Sequence, residues 1–188
     1  MDVYLLTNDY DTEYRSWLLS GSGNEPLAPT SSSLEQNFSG TLEPIKTISD
    51  EIVFQPVKYK ALFGTMAATN LQATFKAVRN PTRPISDNEL KSRILSAIES
   101  FFALENWEFG QTFYFSELAT YVMNLMTPDI TNFVIVPKSD NNFGSLYEIA
   151  CLSNELLISG ATAADIEIID ALSASQLKTT SIVTTSGT

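Results

Sequence analysis

Hydrophobic residues between positions 86 and 105 repeat at the spacing of an α-helix. Ser86 is placed to cap the helix N-terminus, and Glu89, three residues later, completes the pattern of a capping box. The charged residues fall largely on other sides, as expected for a helix that packs against a sheet. The predicted apolar stripe consists of Leu90, Ile94, Ile98, Phe101 and Phe102.

The same periodicity predicts a second helix over residues 116–126, with four residues facing inward. Pro128 ends it, because proline disfavours helical geometry in the residue before it. The predicted inward residues are Leu118, Val122, Leu125 and Met126.

Short runs rich in apolar residues predict strands along much of the chain. Pro56 marks a sheet edge or a break, and residues 71–78 are ambiguous between strand and helix. The predicted strands cover residues 3–6, 52–54, 57–63, 132–136, 146–152, 155–158 and 166–169.

Residues 20–33 are rich in Ser, Gly and Pro and are predicted to form a surface loop. A short helix is predicted before this loop, over residues 11–19. A weaker helical pattern follows it over residues 34–45, where Gly40 and Pro44 disfavour a continuous helix. The apolar positions of the two patterns are Tyr14, Trp17 and Leu18, then Leu34, Phe38, Leu42 and Ile45.

These elements predict an α+β fold, in which a mixed β-sheet carries the two main amphipathic helices on one face. The predicted organisation is an N-terminal strand, polar loop and helix over residues 1–50, an α+β domain over 51–170, and a Ser/Thr-rich tail over 171–188. A core strand so close to Met1 also favours a natural polypeptide that continues upstream.

The acidic balance of the chain disfavours nucleic acid as a partner, because phosphate binding depends on basic side chains. The chain has 22 Asp plus Glu against 11 Lys plus Arg. Residues 1–57 hold nine acids and two bases, whereas residues 58–93 hold seven bases and two acids. This basic block is either part of a mixed solvated surface or a site of charge complementarity between subunits.

One cysteine, Cys151, cannot form an intrachain disulfide, and its apolar neighbours indicate a small buried hydrophobe. The sequence lacks an apolar run long enough for a membrane span and a secretion signal at its start. The protein is therefore predicted to be soluble and non-secreted, with no membrane partner.

Candidate catalytic and cofactor chemistry is sparse. The sequence contains no histidine, the commonest general base and metal ligand. Carboxylates at positions 105, 108, 165, 167 and 170 are the remaining acid-base candidates, but such clusters arise by chance in an acidic chain. Residues 140–142 carry oxygen ligands without the spacing of a known calcium loop, and no nucleotide-binding glycine pattern is present. We therefore predict a protein that is not an enzyme and has no cofactor or metal.

The segment from Trp107 to Phe115 places five aromatic residues in nine positions around Gly110. Aromatic residues dominate both cores and interfaces, so two interpretations remain open. We expect Phe113 and Phe115 to face inward. The candidate interface residues are Trp107, Phe109 and Tyr114, together with Lys58 and Lys60 of the basic block.

The order of elements through this segment resembles the C-terminal half of the baseplate-J family, especially the T4-like phage wedge proteins that form the inner baseplate ring. The resemblance covers roughly residues 50–170, with 3–6 fitting an upstream strand, whereas residues 20–33 do not align. Family members are longer, so the resemblance implies a C-terminal fragment. It is carried by helix 86–105, then Trp107-Glu-Phe-Gly110, Phe113-Tyr-Phe-Ser-Glu-Leu118 and the strand Ile130-Thr-Asn-Phe-Val-Ile-Val136.

This resemblance implies a non-enzymatic virion protein of the tail baseplate, made in the host cytoplasm. Its partners would be copies of itself, as a homodimer or ring, and other baseplate wedge proteins. Two other hypotheses stay open. One is a virion-surface module that binds a host glycan or protein, and the other is a carboxylate-based hydrolase.

Overall fold

A computed structural model describes residues 1–47, 51–138 and 148–172 of the 188-residue chain. The predicted α+β class is confirmed. The described helices are α1 (Asn8–Ser20), α2 (Ser31–Asn37), α3 (Ser39–Lys46), α4 (Asp87–Phe101) and α5 (Phe115–Met126). The described strands are β1 (Asp2–Leu5), β2 (Val53–Pro56), β3 (Lys58–Leu62), β4 (Ala73–Arg79), β5 (Phe113–Tyr114), β6 (Ile130–Pro137), β7 (Glu148–Ile149), β8 (Glu155–Ser159) and β9 (Ile166–Ile169).

The described residues divide into two compact units. Unit 1 contains residues 1–47, 51–60, 107–111 and 150–157, and unit 2 contains residues 61–106, 112–138, 148–149 and 158–172. The aromatic segment around Gly110 therefore contributes residues to both units.

Helix α1 of unit 1 starts three residues earlier than the sequence predicts. The Thr7 hydroxyl accepts a hydrogen bond from the Tyr10 N–H at 3.4 Å and caps the N-terminus. The helix ends at Gly21, whose φ of 64° lies in the left-handed region that favours glycine. Tyr10 and Tyr14 form its buried face.

The weak helical pattern after the loop corresponds to two short helices, α2 and α3, which meet at Phe38. Leu34 and Leu42 are buried on either side of this junction, whereas Phe38 is partly exposed. Leu34 and Leu42 pack with Ile52 and Phe54. The parallel pairing of β1 with β2 completes this small core.

Unit 2 is built on a mixed three-stranded sheet in the order β6-β4-β9. Strand β4 is antiparallel to β6 and parallel to β9, so the ambiguous residues 71–78 are mainly strand. The Phe75 ring of β4 stacks on Phe133 of β6, with ring centroids 5.8 Å apart. Lys76 is also buried in β4, and its ammonium lies 3.2 Å from the Glu167 carboxylate of β9.

Helices α4 and α5 pack against each other, and α4 contacts β9 while α5 contacts β6. Both therefore lie on one face of the sheet, as predicted. The Ser86 hydroxyl accepts the Glu89 N–H at 3.3 Å, which confirms the predicted cap. The Glu89 carboxylate does not complete a capping box, because it binds Arg93 at 2.6 Å.

Helix α5 buries Leu118, Val122 and Met126 as predicted, but Leu125 is 56% exposed. Its inward assignment is wrong, because successive residues in a helix turn by about 100°. Burying both Val122 and Met126 leaves Leu125 on the flank of the apolar stripe.

Several sequence predictions lie partly or wholly outside the described residues. These include the oxygen-rich residues 140–142 and the first two residues of the strand predicted over 146–152. Of the tail predicted over 171–188, all residues from 173 onward lie outside the described part. Within that predicted strand, only Glu148 and Ile149 are in β7, where they pair with Tyr114 and Phe113.

Candidate functional site

The basic block of residues 58–93 is largely neutralised by the chain itself. Five of its seven basic residues lie within 4.0 Å of a carboxylate of the same chain. In four of these five pairs the acid comes from outside the block and is brought close by folding, so the charge of the block is mainly used internally. The five pairs are Lys60 with Glu155, Lys76 with Glu167, Arg79 with Asp87, Arg83 with Asp129, and Arg93 with Asp129.

The two candidate interface lysines differ in their surroundings. Lys58 is exposed. Lys60 is half-buried, and its ammonium donates to the Ala150 carbonyl at 2.9 Å and to the Glu155 carboxylate at 3.2 Å. Lys60 is therefore held within unit 1, and Lys58 is the freer of the two.

The candidate aromatic residues also differ. Trp107 is only 8% exposed, whereas Phe109 is 39% and Tyr114 is 41% exposed. The proposal of Trp107 as a contact residue is corrected, because its large ring is already buried by its own chain. Phe113 and Phe115 are buried, as predicted.

The turn around Gly110 explains how this aromatic segment is held in unit 1. The Gly110 N–H donates to the Glu155 carbonyl at 2.9 Å, and Gly110 has a φ of 76°. A Cβ atom at this position would lie 3.1 Å from the Ser153 Cα. Glycine thus permits both the left-handed conformation and the close backbone approach.

The candidate acid-base carboxylates have structural roles or lie in solvent. Glu105, Glu108 and Asp170 are exposed, and Glu167 pairs with Lys76. Asp165 is buried, but one carboxylate oxygen is 2.8 Å from the Lys138 ammonium and the other accepts from the Thr162 N–H and hydroxyl, each at 2.9 Å. Among the described residues, no cluster of three or more Cys, Asp or Glu is suited to a metal ion.

Cys151 is half-buried rather than fully buried. Burial raises the pKa of its thiol from 9.0 to about 11, and the nearby Glu155 carboxylate adds to the rise, while Lys60 opposes it. A thiol with a raised pKa is a poor nucleophile at neutral pH. This favours a packing role for Cys151.

A cluster of three tyrosines in unit 1 is also structural. The Tyr59 hydroxyl donates a short hydrogen bond to Asp11, and burial is the main cause of the raised Tyr59 pKa. The Tyr10 hydroxyl accepts the Tyr59 N–H at 3.2 Å, and the Tyr14 hydroxyl donates to Glu25 at 2.9 Å. These hydroxyl groups hold α1 and part of the polar loop.

One shallow depression on unit 1 carries a partly exposed tryptophan that the sequence predicted as part of an apolar face. Trp17 lies beside the loop, and its indole N–H donates to the Gly23 carbonyl at 3.1 Å. The depression has a volume of about 540 Å³. Its lining is Thr12, Glu13, Ser16, Trp17, Ser20 and Pro26, which combines an aromatic ring with three hydroxyl groups and a carboxylate.

The most distinctive surface of unit 2 is the outer side of α5. Glu117 is the only charged residue among the twelve of this helix. A groove of about 400 Å³ runs along it, beside the ring of Phe101 from α4. The Phe101 and Tyr121 rings are 5.4 Å apart. The groove is lined by Phe101, Ser116, Glu117, Thr120, Tyr121 and Asn124.

Leu125 adjoins this groove. It follows Tyr121 by four residues, which places the two on neighbouring turns of the same helix side. We define the α5 surface as the six groove residues together with Leu125. The apolar periodicity of residues 116–126 did not reveal this surface, because it placed Leu125 in the core.

No protein-family model matches the chain, and no curated protein matches it. Within the described ranges, no helix has both the length and the apolar character needed to cross a membrane.

Proposed function

We propose that this protein is a structural component of a contractile phage tail baseplate wedge. It associates with copies of itself and binds other wedge proteins to form the inner baseplate ring, and it performs no catalysis. The observation that carries the self-association is the α5 surface, where Leu125 is exposed on an almost uncharged helix.

Two features support this proposal. A solvent-facing helix normally carries charged residues on its outer side, and the outer side of α5 departs from this pattern. In addition, the resemblance to baseplate-J wedge proteins is strongest over residues 86–136, the part of the chain that contains α4 and α5.

The self-association is tested by light scattering of the purified chain from micromolar to several hundred micromolar. We expect the mean mass to rise above the 20.7 kDa of one chain as concentration increases. A constant mass of one chain, both for this polypeptide and for a version extended upstream, would contradict self-association.

The place in the virion needs a separate experiment. Antibodies raised against the purified chain should label the baseplate end of phage tails in electron micrographs. Labelling of capsids or tail fibres, with the baseplate unlabelled, would contradict the baseplate assignment.

A virion-surface module for a host glycan is the second candidate, and the Trp17 depression favours it. Aromatic rings stack on the apolar faces of sugars, and hydroxyl and carboxylate groups bind sugar hydroxyls. A glycan array with the wild-type chain and the Trp17→Ala variant tests this function. Binding that is lost in Trp17→Ala, but kept in Phe38→Ala, would favour it over assembly.

A further inference from the structure

Two depressions on unit 1 meet at Glu13 of helix α1. One is the depression beside Trp17, and the other has a volume of about 410 Å³ and includes Asp9, Leu27 and Phe38 in its lining. Glu13 lines both of them. We call these two depressions, joined at Glu13, the α1 groove.

Two carboxylates and an indole ring follow one side of α1 along this groove. Asp9, Glu13 and Trp17 are each four residues apart, so they share one side of the helix over about 12 Å. Asp9 and Glu13 are exposed, and within the described ranges no Lys or Arg side chain pairs with either. Like charges one helical turn apart repel each other. A bound cation would remove this repulsion.

The Trp17 ring is held in place before any ligand binds. Its indole N–H donates to the Gly23 carbonyl at 3.1 Å, and its ring packs edge-to-face on the buried Tyr14 ring, with centroids 5.1 Å apart. Tryptophan is the aromatic residue that attracts cations most strongly. A ring that is already fixed lowers the entropy cost of binding.

The opposite side of α1 already binds an arginine with the same two kinds of group. The Arg15 guanidinium lies 2.7 Å from the Asp11 carboxylate and 5.9 Å from the centre of the Tyr59 ring. Glu13 and Trp17 lie about 200° around the helix from Asp11 and Arg15 respectively. They present a carboxylate and an aromatic ring to solvent, with no guanidinium of the described residues between them.

We propose that the α1 groove binds two arginines of an extended segment of a partner protein. One guanidinium lies between Glu13 and Trp17, and the other lies at Asp9. This inference rests on the binding of other wedge proteins in the proposed function and names the chemistry of that partner. Arginine is favoured over lysine because its planar guanidinium stacks on aromatic rings and binds a carboxylate through two hydrogen bonds.

The length of the groove sets the spacing of the two arginines. The roughly 12 Å from Asp9 to Trp17 correspond to about four residues of extended chain at about 3.3 Å each. Residues two and four positions apart in an extended chain point to the same side. The predicted segment is therefore Arg-x-x-x-Arg with an apolar residue in the middle, where Leu27, 90% exposed, and Phe38 provide apolar contacts.

A second copy of this chain is a poorer occupant. Of the ten lysines and arginines in the described ranges, eight lie within 4.0 Å of a carboxylate of the same chain. Arg79 and Arg83 have the predicted spacing, but both are among these eight. Residues 80–83 also form a turn, in which the Arg83 N–H donates to the Asn80 carbonyl at 3.1 Å. The arginines must therefore come from another protein.

Nuclear magnetic resonance of the full chain tests the site, because its two tryptophans give two indole N–H resonances. The probe is the peptide Gly-Ser-Arg-Ser-Leu-Ser-Arg-Ser-Gly, with blocked ends. It should shift the Trp17 resonance saturably, with a Kd of roughly 0.1–1 mM. The resonance of Trp107, which is buried, should stay in place. The same peptide with citrulline, an uncharged analogue of arginine, should bind about tenfold more weakly.

Charge-neutralising variants separate the groove from the general attraction of a basic peptide to an acidic chain. Glu13→Gln should weaken binding of the arginine peptide about fivefold, and Asp9→Asn about threefold. Glu43→Gln is the matched control, because Glu43 is an exposed residue of helix α3 that lines neither depression. It changes the net charge equally and should leave the Kd within about twofold of wild type.

Each other result contradicts the inference. Equal weakening by Glu13→Gln and Glu43→Gln would show only attraction to the net charge of the chain. A Trp17 resonance that ignores the arginine peptide at about 5 mM, well above the expected Kd, overturns the site. A resonance that moves with glucose, galactose or N-acetylglucosamine instead would support the glycan candidate.

The proposed function is tested without this peptide. If the groove fails while antibodies label the baseplate, only the arginine site is overturned. If the peptide binds at Trp17 while the baseplate stays unlabelled, the arginine site stands and its partner is not a wedge protein.

Discussion

Gly64 approaches Gly160 so closely that a Cβ atom on Gly64 would lie 1.8 Å from the Gly160 carbonyl oxygen. Gly64 also has a φ of 63°, and the preceding residue, Phe63, has a φ of 64°. The Gly160 N–H donates to the Leu62 carbonyl at 2.8 Å, which holds the two segments of unit 2 together. This contact requires glycine for both space and backbone conformation.

We predict that Gly64→Ala lowers the free energy of unfolding by about 3 kcal/mol, through the clash and the left-handed conformation together. Urea denaturation followed by far-UV circular dichroism measures the change. Gly40→Ala is the control, since no atom lies within 4 Å of the new Cβ in helix α3. It should raise stability by about 0.5 kcal/mol, because alanine has the higher helix propensity. Equal effects of the two substitutions would contradict the close contact.

Asp129, which follows α5, pairs with Arg93 of α4 and with Arg83, which precedes α4, all within unit 2. Its carboxylate is mostly buried and lies 2.9 Å from the Arg93 guanidinium and 3.5 Å from that of Arg83. We predict that Asp129→Ala lowers the free energy of unfolding by about 2 kcal/mol, because two guanidinium groups lose a partly buried partner. Thermal unfolding in low and high salt measures the effect.

Glu89→Ala is the control for this network, since Glu89 forms an exposed ion pair with Arg93 one helical turn away. It should cost about 0.3–0.5 kcal/mol at low salt and almost nothing at 1 M NaCl. The stability lost in Asp129→Ala should largely remain lost in high salt. A loss that disappears in salt would indicate that Asp129 acts only as a surface charge.

The Lys138–Asp165 pair predicts an order of stability among the wild type, Asp165→Asn and Asp165→Ala. Asp165→Ala leaves the Thr162 N–H and the Lys138 ammonium without their acceptor, and we expect a loss of about 3 kcal/mol. Asp165→Asn retains one oxygen that can accept from Thr162, so it should lose less stability than Asp165→Ala. Calorimetry would contradict this explanation if the two variants unfolded at the same temperature.

Cys151 gives a prediction about pH. With a pKa of about 11 instead of 9.0, the folded chain should hold about a hundredfold less thiolate at pH 8 than an unperturbed cysteine. Alkylation at pH 8 should therefore be much slower in the folded chain than in urea. Glu155→Gln should speed it, because Glu155 raises the thiol pKa. An equal rate in folded and unfolded chains would contradict the effect of burial.

Local signals in the sequence predicted α4 well. Its N-terminal cap at Ser86 and its periodic apolar residues act within a few turns, so they need no distant partner. The same holds for β6 and β9, whose apolar runs indicated strands. The Glu89 side chain was assigned wrongly because Arg93, one turn later, competes for the same carboxylate.

The candidate site was harder to predict because exposure depends on residues distant in the chain. Leu125 fits the inward pattern by spacing, yet it is exposed, and Trp107 is buried. The sequence left two interpretations of the basic block open, a mixed solvated surface and a site of charge complementarity between subunits. In the folded chain, acids up to 95 residues away pair with its basic residues, as Glu155 does with Lys60.

The sequence by itself determined the α+β class, the positions of the main helices and the absence of histidine chemistry. These properties depend on residue identity and on hydrogen bonds and periodicity over a few positions. Tertiary structure alone decided which aromatic rings are buried, which charges are paired and that Leu125 lies beside an open groove. Those properties depend on which distant segments pack together, and a linear pattern does not specify that packing.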